Sequence, residues 1–334
     1  MPTLDSTDVN IKYAASVIQG GGVVAFPTET VYGLGASVLN ENAAKKIFEI
    51  KGRPSTNPLI VHLGSTEQLF VVAEPFTSKE EQQLARLEKF WPGPLSVILR
   101  ANASVPKIVT AGLSTVAVRI PSHPIAQKLI KESGVPIAAP SANRSGYVSP
   151  TTAQHVDDGL GHLVDIILDG GPCSIGLEST IVSLVATKPT LLRAGSVTAE
   201  ELRDALGDID VKITTIASSV ERFIAPGQLK EHYAPTTPII LRGTVASSSY
   251  PRKVGLIAFC DQSDASEKFD YSVRTKLSNT GDRLEIAQRL FSALRDFDKR
   301  GLDLIVVDTC DASGLGLAIM DRLERATARS QINV

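Results

Sequence analysis

Apolar residues recur at helical spacing at Ile11, Ala14, Ala15 and Ile18, and the run meets Gly20-Gly21-Gly22. That spacing predicts an amphipathic helix stopped by glycine. Val23 to Phe26 is a continuous apolar run ended by Pro27, which predicts a buried strand. Thr28 to Gly35 is crowded with hydroxyls and glycines and reads as a loop. Asn40 is placed to cap a helix through Ala43, Ala44, Ile47 and Phe48 that runs into Lys51. Leu59 to Leu63, Ser96 to Leu99, Val116 to Ile120, Asp165 to Asp169, Ile181-Val182 and Leu191-Leu192 read as further strands. Helical patterns fall at 77–90, at Pro124 to Ser133 and from Thr151 onward. Trp91-Pro92-Gly93-Pro94 is a rigid turn, and residues 140–146 form a second polar loop behind apolar residues. Helix and strand alternate, which predicts a layered α/β domain over residues 1–207 with ligands beyond the strand ends.

Residues 208–238 carry few apolar runs and read as a linker. The α/β pattern then resumes. Strands are expected at Val254 to Phe259 and Leu304 to Val307. Helices are expected through Ile286, Leu290, Ala293, Leu294 and Phe297, and from Leu315 to Ala328. A smaller second α/β domain over residues 239–334 follows.

Composition changes this picture little. The length of 334 residues fits two domains, and 43% hydrophobic residues suffice for two cores. A formal net charge of −2 gives no global footprint for nucleic acid or an anionic membrane. Cys173, Cys260 and Cys310 are far apart and form no metal-ligand spacing, as expected for thiols in a reducing compartment. The N-terminus lacks signal-peptide regions and no apolar run reaches the ~20 residues of a membrane span, so a cytoplasmic protein is expected.

The richest chemistry lies in Lys51 to His62, Lys-Gly-Arg-Pro-Ser-Thr-Asn-Pro-Leu-Ile-Val-His. Pro54 fixes its own φ and biases Arg53 away from the helical region, so the segment reads as a stiff loop leaving a helix and entering a strand. Arg offers a planar fork to phosphate or carboxylate, and Lys a point charge. Other candidates sit in separate loops: Thr28, Glu29, Thr30, Thr115, Arg119, Ser141, Asn143, Ser149, Ser179 and Arg193. Singly, these could be caps, turn formers or ion-paired scaffold. Together, hydroxyls and cations at strand ends describe a polyanion pocket with a small polar co-ligand. The five histidines show no Cys-His or Ser-His-Asp spacing. Catalysis by positioning and electrostatics, as in phosphoryl or nucleotidyl transfer, is the expectation.

Ordered motifs carry a resemblance across nearly the whole chain. They include Phe-Pro-Thr-Glu-Thr-Val-Tyr-Gly-Leu-Gly (26–35), Lys-Gly-Arg-Pro with Asn-Pro-Leu-Ile-Val-His (51–62) and Trp-Pro-Gly-Pro-Leu (91–95). Val-Ala-Val-Arg-Ile-Pro-Ser-His-Pro (116–124), Ala-Pro-Ser-Ala-Asn (139–143), Glu-Ser-Thr-Ile-Val (178–182), Leu-Arg-Ala-Gly (192–195), His-Tyr-Ala-Pro (232–235) and Gly-Leu-Gly-Leu-Ala-Ile-Met-Asp-Arg (314–322) extend it. The first domain resembles the YrdC-type L-threonylcarbamoyladenylate synthases, and the whole chain resembles their long two-domain form. Asp321 stands where Asn is common in such proteins.

The resemblance implies an open, twisted mixed sheet with helices, followed by a smaller Rossmann-like domain. It implies that L-threonine, bicarbonate or carbon dioxide, and ATP give threonylcarbamoyl-AMP and pyrophosphate, the first step of a tRNA adenosine modification completed by downstream transferase proteins. By the same match, Lys51, Arg53, Ser141 and Asn143 would be catalytic. Thr30, His62, Arg119, Ala139 and Ser179 would bind threonine. Arg53, Asn57, Thr115, Ser141, Ser149, Arg193 and Tyr233 would bind ATP. Mg2+ would accompany ATP, held mainly by phosphates and water, with no dedicated protein site and no organic cofactor. The linker, with Pro226-Gly227 as a hinge and Tyr233 at its end, is expected to act as a lid. A double-stranded RNA or tRNA-binding module without adenylate synthesis is the alternative, disfavoured by the net charge and the lack of an aromatic platform.

Overall fold

The computed structural model describes residues 3–213, 225–226, 232–243, 253–261 and 270–328. The chain opens with the short strand β1 (Thr3–Asp5) and helix α1 (Asp8–Gln19). The α1 helix is capped by the Thr7 side chain and buries Ile11, Ala14, Ala15 and Ile18, the four positions its spacing picks out. Strand β2 (Val24–Phe26) follows. The expected loop over residues 28–35 is then only half correct. Strand β3 (Gly33–Ser37) begins inside it and pairs antiparallel with β2. Its glycines serve close approach: a Cβ on Gly35 would lie 2.6 Å from the Phe26 ring and 2.7 Å from Ile137.

Helix α2 (Glu41–Lys51) is capped by Asn40, whose side chain accepts from the Ala43 N–H, and it stops at Gly52 in the left-handed region. Strand β4 (Ile60–His62), the single turn α3 (Leu69–Val72), helix α4 (Ser78–Leu87) and strands β5 (Leu95–Arg100) and β6 (Thr115–Arg119) come next. A capping box between Thr77 and Glu80 starts α4. Helix α5 (Pro124–Ser133), strand β7 (Ile137–Ala138), helix α6 (Ala153–Leu160) and strands β8 (Ile166–Asp169), β9 (Thr180–Ser183) and β10 (Thr190–Arg193) complete most of the layer. After helix α7 (Ala199–Leu206), strand β11 (Asp210–Val211) pairs parallel with β10. The expected linker therefore begins a few residues late. Ile209 packs into the main core and draws β11 onto the sheet edge.

Among the described residues the strands form a mixed sheet in the order β1-β8-β2-β3-β7-β4-β6-β5-β9-β10-β11. The β4–β6 pair is parallel and in register, with His62 opposite Arg119. Alternation puts Thr115, Ala117 and Arg119 on one face of β6.

The second layer contains β12 (Ile239–Leu241), β13 (Val254–Ala258), β14 (Tyr271–Lys276), helix α8 (Arg283–Asp298), β15 (Leu304–Val307) and helix α9 (Leu315–Thr327). These strands form a parallel sheet ordered β12-β15-β13-β14, the Rossmann-like arrangement the motifs imply. Its helices do not hang free of the first domain. Val31, Val148, Leu177 and Ala194 of the first domain share one buried cluster with Tyr233 and with Ile286, Leu290, Phe291, Ile319 and Leu323. At Gly176, with φ at +80°, a Cβ would lie 2.5 Å from the Gln288 Cα, so only glycine lets α8 come this close.

Candidate active site

Arg119, at the end of β6, anchors one wall. Its Nη2 pairs with Glu29 at 2.8 Å, its Nη1 donates to the Thr30 hydroxyl at 2.8 Å, and its Nε donates to the Gly93 carbonyl at 3.2 Å. The Thr28 and Thr30 hydroxyls lie 2.8 Å apart. Burial pushes the Glu29 carboxyl up, but the Arg119 charge and hydrogen bond outweigh it and hold the group below its ordinary value. Next door, burial and then the Arg119 charge push His62 down to about 3, so its imidazole is neutral. The structural role weighed for Glu29 is what the geometry supports.

Lys51 and Arg53 divide their work. Lys51 Nζ donates to the backbone carbonyls of Ser141 and Asn143 and ties the second polar loop to the end of α2. Burial first, and then Arg53, lower its affinity for a proton. Arg53 donates from Nε to the Asn57 carbonyl at 3.0 Å, and from Nη2 to Asn57 Oδ1 at 2.6 Å and to the Pro58 carbonyl at 2.7 Å. These bonds make the Pro-stiffened loop a rigid mount for a guanidinium that lines the cavity.

Ser179 and Arg193 form the opposite wall. Arg193 donates from Nε to the Ser179 carbonyl at 2.9 Å and from Nη2 to its hydroxyl at 3.0 Å, while Ser96 and Ser179 hydroxyls lie 2.8 Å apart. The linker closes the top. Arg193 Nη1 donates to the Pro226 carbonyl at 3.3 Å, and Pro226, His232 and Tyr233 line the cavity. Tyr233 is buried with φ at +63°, an uncommon backbone conformation for a bulky side chain. Gly227 lies outside the described residues.

The cavity measures about 50 Å³. Arg53, Thr30, His62, Arg119, Ala139, Ser141, Ser179, Arg193 and Tyr233 of the expected site line it. Lys51, Asn57, Asn143 and Ser149 stand one layer behind. Asn143 donates to the carbonyls of Arg144 and Tyr147, both at 2.8 Å, and Ser149 donates to Glu178 Oε1. Thr115 sits at the far end of β6 from Arg119, on the same face, beyond the small apolar cluster of Ala117, Ile60, Ile98 and Ala225. The sequence reading gave no role to Glu178, which lines the cavity, or to Arg322 behind it. Both fall inside quoted motifs, and that was the available signal.

Among the described residues, Glu29 Oε2, His62 Nδ1, Asn143 Oδ1 and His232 Nδ1 are buried polar atoms without a hydrogen-bond partner. Buried polar atoms are nearly always satisfied, so the two orphan imidazole nitrogens of the cavity-lining His62 and His232 mark a place that suits polar ligands. Glu178, which lines the cavity, faces Arg322, and Glu29 behind the wall faces Arg119. Among the described residues no group of three or more His, Cys, Asp or Glu side chains is arranged for a metal ion. No helix of the described residues is long and apolar enough to cross a membrane.

A two-domain α/β protein with an arginine-lined cavity under a linker is the class this architecture defines. The family model for Sua5, YciO and YrdC, described as Telomere recombination, matches residues 16–195, and one described as Threonylcarbamoyl-AMP synthase, C-terminal domain, matches residues 197–328. The chain belongs to the Sua5/YciO/YrdC family. It is 44% identical to the threonylcarbamoyl-AMP synthase of Pyrococcus abyssi, over 97% of this chain and 96% of that protein. It is 42% identical to the enzyme of that name from Bacillus subtilis, over 97% and 94%. A crystal structure of P. abyssi Sua5 complexed with L-threonine superposes with a TM-score of 0.88 at 40% identity, covering 99% of this chain and 98% of that one.

Proposed function

We propose that this chain forms threonylcarbamoyl-AMP and pyrophosphate from L-threonine, bicarbonate or carbon dioxide, and ATP. The observation that carries this reading is the meeting of three buried arginines, Arg53, Arg119 and Arg193, with the Thr30 and Ser179 hydroxyls around one cavity. That set suits a small amino acid beside a polyanion. Such cations are too enclosed to track an RNA backbone, which disfavours the RNA-binding alternative.

Threonine would lie against Thr30, His62, Arg119, Ala139 and Ser179. Carboxylation of its nitrogen gives a carbamate, and a carbamate oxygen attacks the α-phosphorus while pyrophosphate leaves. The substrate thus supplies the nucleophile, and the protein supplies position and charge. Arg53, Asn57, Ser141, Ser149, Arg193 and Tyr233 would serve the nucleotide, some directly and some by holding a neighbour. Thr115 shares the sheet face that leads away from Arg119, a suitable track for the far end of a long ligand. Magnesium would enter with ATP, neutralise phosphate charge and take its ligands mainly from phosphate and water. The product is a mixed anhydride that downstream transferase proteins would consume.

A space of about 50 Å³ holds a few waters and not a nucleoside triphosphate. Pro226, His232 and Tyr233 of the linker line this space, and their movement on ATP binding and settling over the ligand would exclude water. Replacing 225–235 with a Gly/Ser segment should leave the first domain folded and impair turnover. Full activity after replacement would reduce the segment to a tether.

The reaction is tested by incubating the protein with ATP, magnesium, bicarbonate and single amino acids. Pyrophosphate release that depends on threonine is expected. Release that is independent of the amino acid, or absent, overturns the reading.

A further inference from the structure

Helix α9 of the second domain carries Arg322, a fully buried arginine that reaches the back of the cavity. Its Nε donates to Glu178 Oε2 at 2.9 Å, its Nη1 pairs with Asp321 at 2.6 Å, and its Nη2 donates to the Ala194 carbonyl at 2.9 Å. Its guanidinium carbon lies 5.2 Å from the centre of the Tyr233 ring. Tyr233 is also stacked on Phe291 of α8, with centroids 5.5 Å apart. One guanidinium thus touches a cavity carboxylate, the backbone beside Arg193 and the linker's aromatic ring.

Two physical consequences follow. First, Glu178 lines a cavity whose other charges are cationic. An unpaired carboxylate there would repel a polyphosphate, and in a poorly hydrated site such repulsion is large. Arg322 takes one oxygen of Glu178 and Ser149 takes the other, so the carboxylate is occupied before a nucleotide arrives. Second, Tyr233 holds a positive-φ backbone conformation that is strained for a bulky residue and persists only where neighbours over-determine it. The Arg322 cation, the Phe291 ring and the Ala234 N–H bonded to the Gly146 carbonyl at 3.0 Å are those neighbours.

We infer that Arg322 is a positioning residue for the nucleotide: it fixes the closed place of Tyr233 and neutralises Glu178, which makes the second domain a working part of the site. This rests on the nucleotide reading above. Asp321 and Arg325 complete the device, since Asp321 accepts from both arginines and fixes the direction of the Arg322 fork.

The test uses the full chain and two readouts, equilibrium ATP affinity and threonine-dependent pyrophosphate release, with melting midpoints as a folding control. Arg322→Met should weaken ATP binding at least tenfold and raise the KM for ATP more than it lowers kcat. Adding Glu178→Gln to that variant should recover part of the affinity. In a background carrying both Tyr233→Ala and Glu178→Gln, Arg322→Met should cost under about threefold, because both groups through which it acts are then altered. Arg322→Lys keeps the charge and loses the planar fork, so it should fold and still bind ATP several-fold more weakly. It carries the same expectation if Arg322→Met fails to fold. A folded Arg322→Lys with wild-type ATP affinity and KM, or an Arg322→Met cost that stays undiminished in the Tyr233→Ala, Glu178→Gln background, overturns the inference. If wild type binds ATP but releases no threonine-dependent pyrophosphate, the reaction reading fails while the affinity comparison still decides the role of Arg322.

Discussion

Lys51 bonds the carbonyl of Ser141 across a separation of 90 residues, and the same ammonium takes the carbonyl of Asn143. The loop that presents Ser141 to the cavity is therefore anchored by a side chain that does not itself line it. Lys51→Met should leave the buried Asn143 carbonyl and the part-buried Ser141 carbonyl unsatisfied, at about 1–3 kcal/mol for the buried one. It should lower turnover by roughly a hundredfold, the scale of a displaced catalytic group. Urea unfolding and single-turnover pyrophosphate release check both halves. A variant with normal stability and normal rate would detach Lys51 from the loop's placement.

Arg53 presents a fork held in place by three bonds to its own loop. Arg53→Ala should abolish adenylate formation while the fold survives. Arg53→Lys should also be poor, because a point charge cannot hold the Asn57 and Pro58 oxygens and a ligand together. Near-wild-type turnover in the Lys variant would exclude the clamp role.

Arg119 and Thr30, joined at 2.8 Å, define a small polar pocket with His62 and Ser179. Serine lacks one methyl and should react more weakly by ~1–3 kcal/mol in kcat/KM. Valine lacks the hydroxyl and should be rejected more strongly, since a buried partner is left unpaired. Equal kcat/KM for threonine and valine would remove this assignment.

Acid should weaken the protein. Burial, then the Arg119 charge, holds His62 down to about 3, and burial, then Arg53 and Lys51, holds His232 well below its ordinary 6.5. The folded state therefore binds fewer protons than the unfolded chain below about pH 6.5, so stability is complete above that pH and is lost as pH falls toward the folded values. At pH 5 His62 should account for about 2 kcal/mol of lost stability, and His232 acts in the same direction. Denaturant midpoints between pH 7 and 5 measure the slope, and His62→Gln should flatten it. A midpoint constant over that range would contradict the burial of neutral imidazoles.

Local signals made much of this legible. Helical spacing located α1, α2 and α8 because their buried faces are regular. Asn40 announced its cap. Strand β3 was hidden because Gly33 and Gly35 read as loop punctuation, whereas they make room for Phe26, a neighbour visible only in three dimensions. Strand β14 was missed because Tyr271 to Lys276 is half exposed and polar, the pattern of an edge. At the site, strand-end arginines and hydroxyls were nameable. Their partners were not, because Arg119 meets Thr30 across 89 residues and Arg322 meets Glu178 across 144. Charge pairing over such spans leaves no local spacing to read.

The cluster shared by the two layers bears on how far the chain can be divided. A protein cut at residue 207 would turn Val31, Val148, Leu177 and Ala194 toward water as one greasy face and leave Gly176 pressed against nothing. Such a fragment should stick to itself. For it to live alone, those four positions would need polar replacements, and Glu178 would need a new cation from its own half.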